Sequence, residues 1–335
     1  MQKLWIHICL LLLVSSFAFA DITFISNRDR KSNIYVMNDD GSDVRRLTDI
    51  PFTVGGPRWS PDGRQIAFMV DLHSMQPNKW QQYDVFVMNA DGTQQRNLTL
   101  HLKQDFMGSW SPDGKYFAFG SGRAGHATLE IFVMELATRE VRQLTDLGFA
   151  SSPDWSPDGK KIAYEFVRAG EGRHIYIMDT DGRNNRPLLR QPRRGAFGGT
   201  IFSFDPRWSP EGHHILYQES ELVAGKGRVA DSILIVHKDT RHLKVLDTPA
   251  NWQIDSVCWA DGGKAVLFSA VPNGLGKGKK MVKIFRYDLR DGQITNLINH
   301  PSSNWVMDWT PRQSLAVSSA AKLSMLWAEV KKGTE

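Results

Sequence analysis

Cysteine is nearly absent. The 335 residues hold two, Cys9 and Cys258. Cys9 lies in a leader-like N-terminal stretch, so the remainder cannot form an internal disulfide and must be held by a packed core. Cys258, beside Trp259, reads as a small buried hydrophobe. Beyond the first twenty residues no run approaches the ~18 consecutive apolar residues of a membrane span. There is no G-x-S-x-G elbow, no H-E-x-x-H, no zinc-type cysteine pair and no phosphate loop, so no cofactor is predicted. An excess of one charge is missing too: 41 Lys and Arg face 36 Asp and Glu, spread along the chain. That argues against a nucleic-acid surface. Helical periodicity is confined to Leu323, Leu326, Trp327 and Val330, which predict a short amphipathic helix within a tail at 312–335.

The first twenty residues carry Lys3, the apolar run Ile8–Val14 and the small-x-small ending Ala18-Phe19-Ala20. This is the pattern of a secretory signal peptide cleaved after Ala20. It predicts a periplasmic or secreted protein without a lipid-bearing cysteine. Loss of Lys3 takes the formal net charge from +5 to +4.

What is abundant is a repeat. W-S-P-D-G stands at 59–63, 110–114 and 155–159, then as W-S-P-E-G at 208–212 and W-A-D-G-G at 259–263. Trp59, Trp110, Trp155, Trp208, Trp259 and Trp309 are spaced by 51, 45, 53, 51 and 50 residues. After each turn comes a strand such as RQIAF or KKIAY. An IYVM-type strand with an Asp-Gly turn follows, then a short R-x-L-T-like strand. Four short β-rich runs per period predict a four-stranded antiparallel sheet repeated along the chain. In Ser-Pro-Asp-Gly, proline presets one φ, aspartate bonds the local backbone and glycine takes positive φ. Tryptophan before the turn is a large apolar plate that one sheet cannot bury alone. Sheets packed radially can bury it, as in a β-propeller. Residues 22–49 read as three strands lacking the first, and 304–311 read as a lone first strand. Together they complete one blade and close an all-β, six-bladed propeller over residues 21–311. A seventh blade would require strands from Ser314 to Val330.

These motifs resemble the TolB-type six-bladed propellers. The residues that carry the likeness are the WSPDG turns with their IAF or IAY strands, the IYVM-type strand with its Asp-Gly turn, and the R-x-L-T strand. The likeness covers residues 21–311. It implies the same fold, while the partners of TolB-type proteins are not carried over. The chain passes directly from its leader to the first blade, without the α/β domain that precedes the propeller in TolB-type proteins.

Topology gives such a ring two faces. The uniform turns between the first and second strands of each blade, and between the third and fourth, lie on one face. The long segments 70–83, 120–130, 190–204, 219–231 and 270–280 lie on the other, where variable loops on a rigid scaffold concentrate function. The candidate binding residues there are Trp80, His101, Asp105, Phe106, His126, Phe149, Arg193, Arg194, Phe202, Asp205, Trp252, Asp255 and Trp305. Aromatics with arginine and carboxylate around a concavity suit a peptide or a sugar. The bland alternative is that these aromatics only plug the channel. His213-His214, Asp179–Gly182 and Asn38–Gly41 read as turn or strand residues, not metal ligands. The reading favoured by the clean repeat is a monomeric, non-enzymatic scaffold that binds a protein or peptide of the cell envelope. The alternative is a glycan-binding protein, or a carbohydrate-active enzyme like the oligogalacturonate lyases, which are also TolB-like propellers. His73, His101, His126, Arg193 and Arg194 would supply its chemistry.

Overall fold

The computed structural model describes residues 20–72, 82–125, 128–168, 170–190, 193, 195–273 and 281–311. The expected leader and the expected tail helix lie outside them. Six blades of four antiparallel strands follow one another round an axis. Blade 1 is Val54–Trp59, Gln65–Asp71, Tyr83–Asn89 and Arg96–Asn97. Blade 2 is Asp105–Trp110, Tyr116–Ser121, Glu130–Glu135 and Val141–Gln143. Blade 3 is Ala150–Trp155, Lys161–Arg168, Gly172–Asp179 and Arg186–Pro187. Blade 4 is Thr200–Trp208, His214–Val223, Gly227–His237 and Leu243–Val245. Blade 5 is Gln253–Ala260, Ala265–Val271, Lys283–Asp288 and Ile294–Asn296. In blade 6 the C-terminal strand Asn304–Pro311 pairs antiparallel with Ala20–Ser26, which leads into Asn33–Asn38 and Arg45–Arg46.

The turn chemistry is the same from blade to blade. Ser60 Oγ donates to Asp62 Oδ1 at 2.7 Å and accepts the Gln65 N–H at 2.9 Å. Ser111 with Asp113 and Ser156 with Asp158 repeat this knot. Blade 5 has alanine in place of serine and turns through a single 3-10 turn, Asp261–Gly263.

Six apolar clusters fill the six gaps between neighbouring blades, and each contains or touches one repeat tryptophan. Trp110, for example, packs with Ala67, Val85 and Val87 of blade 1 and with Phe117 and Phe119 of its own blade. At five of the six tryptophans the residue just before supplies a second link. Asp308, Ser109 and Asp154 accept the backbone N–H of Trp59, Trp155 and Trp208 in the next blade through their side chains. At Arg58 and Arg207 the backbone carbonyl accepts the indole N–H of Trp110 and Trp259 instead.

The Asp-Gly turns dock on the preceding blade. Gly41, Gly92 and Gly182 have φ between +83 and +88, and each lies against the backbone of Leu297, Leu47 or Leu144 in the blade before. A Cβ on Gly92 would meet the Leu47 carbonyl oxygen at 2.4 Å.

One loop of the sequence reading is strand. Residues 219–231 extend the second and third strands of blade 4, with a turn at Gly225 and Gly227, both at positive φ. The extension buries Gln218 to Glu221 without a break, and the two glutamates find partners there: Arg193 for Glu219, and the N–H groups of Phe197 and Gly199 for Glu221. Blades 3 and 4 are also tied by a parallel bridge between Arg173 and Phe202.

Candidate functional site

On the loop face, the structure places several sequence-selected residues in support roles. Asp105 is fully buried, and its carboxylate takes Arg123 at 2.8 Å. Asp255 accepts Arg228 at 3.2 Å, and Arg193 pairs with Glu219 at 2.6 Å. Trp252 packs on Phe285 and Phe268 in the gap between blades 4 and 5. Phe106 lies against Tyr83, and Phe202 stacks on Phe204. Arg173 covers Phe149 and Phe204 and binds Glu165. His101 is half-buried, with its Nδ1 accepting the Lys103 N–H. Trp305 is half-buried on the closing strand, opposite Ile25. Trp80, His126 and Arg194 lie outside the described residues, as does His73.

A different set protrudes. Among the described residues, five of the seven exposed large apolar side chains stand on this face: Leu100, Leu102, Leu147, Phe197 and Leu222. Leu100 is 80% exposed, Leu102 89% and Phe197 65%. Three of their loops are pinned alike. Asn97 Oδ1 accepts the N–H groups of Thr99 and Leu100. Glu130, itself fully buried, accepts those of Leu147 and Gly148 through one oxygen. Glu221 accepts those of Phe197 and Gly199. Leu100 is held at φ 37, a conformation leucine avoids. Strain of this kind persists only where the surroundings impose it. Sequence reading passed over these leucines because an exposed leucine has no signature. The polar residues that pin them were the only available signal.

The interior of the ring is charged. Arg58 of blade 1 reaches Asp205 of blade 4 at 3.1 Å, which links inner strands on opposite sides of the axis. Arg207 takes the other oxygen of Asp205 at 3.3 Å, and both guanidiniums share the Met307 carbonyl of blade 6. Asp205 stands at φ 54, and its N–H donates to Glu165. The three charges thus meet across the axis.

At the turn-face mouth lies a basin of about 440 Å³. Trp59, Trp208, Trp259 and Trp309 line its wall, together with Asp154, Arg207, Cys258 and Asp308. Cys258 is a free, buried thiol whose ionisation is pushed up by burial. Burial also pushes the Asp154 carboxyl up to about 6, against the pull of Arg207 and Arg58. The ordinary unfolded value is ~3.9, so the folded protein binds the extra proton between the two. This group therefore withdraws stability as pH rises from about 4 to about 6. Asp154→Asn keeps an oxygen for the Trp208 N–H and removes the penalty. The variant is expected to be more stable than the parent at pH 7.5 by on the order of 1–2 kcal/mol, since water in the basin screens part of the full shift. Urea melts at pH 7.5 and pH 4.5 check this, because the gain should shrink at the lower value.

Among the described residues no group of three His, Cys, Asp or Glu could hold a metal ion. His213 and His214 both contact the ring of His237, His213 in parallel and His214 edge-on.

Comparison with known proteins agrees with this architecture. A family model described as the TolB beta propeller domain matches residues 15–129. A TolB homolog from Chlorobium luteolum is 28% identical over 159 residues, 37% of this chain and 36% of that protein. The crystal structure of TolB from Acinetobacter baumannii superposes with a TM-score of 0.68 at 16% identity, covering 85% of this chain and 65% of the other. The oligogalacturonate lyase of Vibrio parahaemolyticus superposes at 0.52 and 13% identity, covering 84% and 75%. The chain spans at most 61% of the length of the curated relatives it matches.

Proposed function

We propose that this chain, whose fold is that of a TolB-like β-propeller, is a non-enzymatic scaffold, exported to the periplasm, that docks a protein or peptide of the cell envelope on its loop face. The observation that carries the reading is the set of pinned apolar projections, Leu100, Leu147 and Phe197, each held by a polar side chain that accepts two loop N–H groups. Water-exposed apolar groups on a soluble surface mark interaction sites when they are grouped. Fixing them in advance lowers the ordering cost of binding. The leader-like first twenty residues support export, and no helix of the described residues is long and apolar enough to cross a membrane.

A second reading, binding of an acidic sugar, draws on a loop-face groove lined by Arg168, His174, Arg190 and Arg193. Arg168 and Arg193 are already paired with Glu171 and Glu219, which leaves less positive charge for a ligand. The test is capture from an envelope extract by the purified protein, run beside a glycan array. A variant with Leu100, Leu102 and Phe197 all replaced by serine is expected to melt within a few degrees of the parent, because exposed substitutions shift stability by only ~0.5 kcal/mol each. It should lose the captured partner. Unchanged capture by that variant, or a glycan hit with turnover and no protein partner, would sink the proposal.

A further inference from the structure

The basin on the turn face is built differently from the loop face. Its charge is unbalanced. Arg58 and Arg207 both spend their guanidiniums on Asp205 and the Met307 carbonyl. Asp154 and Asp308 are left without an ion pair among the described residues, each held only by tryptophan backbone N–H groups. The axis thus carries three carboxylates against two guanidiniums, a surplus of one negative charge at the floor of a cavity of about 440 Å³. Four indoles wall the cavity, and indole is the ring that best attracts a cation. Carboxylate surplus and aromatic wall call for one positive charge.

An inorganic cation does not fit the donor set. Calcium takes six to eight oxygens, and no three acidic, His or Cys groups gather among the described residues. An anion is opposed by the net charge. We propose that the basin binds an alkylammonium group, that is, a lysine side chain of a peptide entering along the axis from the turn face. Occupancy would place the ammonium between Asp154 and Asp308, and it would lower the proton affinity that burial has raised in both.

The experiment titrates the purified full chain with Nα-acetyl-lysine N-methylamide at pH 7.5 and reads tryptophan fluorescence, with the norleucine analogue as the neutral isostere. A saturable change is expected with a dissociation constant of about 1 mM, reasonable for a ligand of this size. The norleucine analogue should bind at least about tenfold more weakly. Asp154→Asn and Asp308→Asn, with folding confirmed by circular dichroism, should each weaken the lysine probe by about tenfold, the loss of one charge-assisted contact. The serine variant of the loop face should bind the probe like the parent, which separates this site from the one proposed there. The proposal is overturned if the lysine probe gives no saturable change, if norleucine binds equally well, or if both asparagine variants bind as the parent does.

Discussion

Replacing Asp205 with alanine is expected to lower the melting temperature by roughly 10 °C, the largest single effect predicted for this molecule. Among the described residues the carboxylate is the only counter-charge within ion-pair distance of Arg58 and Arg207, at 3.1 and 3.3 Å. Arg58 is 9% exposed and Arg207 5%, so neither can turn to water for compensation. Removing one partner of a buried ion pair costs about 3–5 kcal/mol, mainly because the remaining charge stays buried and unmatched. Alanine also tolerates the φ of 54 at this position less well than aspartate does. Asp205→Asn keeps one acceptor and the turn preference, so it should lose about half as much. Adding Arg58→Met to the alanine variant removes one of the two stranded charges and should recover part of the loss. Calorimetry on the four proteins decides. An alanine variant that melts within 2 °C of the parent would show that the charges across the axis contribute nothing to holding the ring.

Gly92→Ala should come next, with a loss of about 3 kcal/mol or more. Two costs combine there. The backbone stands at φ +87, where an L-residue pays about 1–2 kcal/mol. The new Cβ would also lie 2.4 Å from the carbonyl oxygen of Leu47 on the neighbouring blade. Leu47 lies just past a strand with its N–H bonded to the Ile34 carbonyl at 2.8 Å, so its backbone cannot yield as a flexible side chain can, and the blades must separate or the turn must refold. Gly148→Ala is the control. Its φ is +93 and nothing stands within 4 Å of its Cβ, so it carries the conformational cost without the collision. If the two variants lose equal stability in urea melts, the docking of Asp-Gly turns on the preceding blade has no energetic weight.

The parts of the fold that were legible in the sequence are those set by local chemistry. Ser60, Asp62 and Gly63 close a turn with partners no more than five residues away, and the same letters recur wherever the same knot forms. The alternation of the second and third strands and the unpaired strand at 304–311 follow from residues that are near in sequence or missing at a fixed period. The site resisted because its contacts run across the ring. Nothing near Arg58 in the chain announces Asp205, 147 positions away. The position before each tryptophan reads Arg, Ser, Asp, Arg, Cys, Asp, a variable letter in a constant word. That variability was the available clue to where the axis is chemically individual. The loop face misled in a complementary way. Asp105, Arg193 and Asp255 look like rim charges in a string of letters, but each is consumed by a partner in its own loop system or on a neighbouring strand. Leu100 looks ordinary and Phe197 is one loop-face aromatic among several, and only the oxygens of Asn97 and Glu221 make them prominent.

The strand that completes blade 6 has a consequence for the order of events during synthesis. Thr23 bonds to Asp308 across 285 residues, so the first strand of the ring to be made must wait for the last. Until then Ile22, Phe24 and Val306, all fully buried in the finished ring, have no complete wall to pack against. Pairing at such separation is slow, because loop closure must be paid for before the contacts reward it. A growing chain therefore spends most of its translation as an open arc with two unmatched edges, one at each end. Those edges are the places where it would pair with another chain instead.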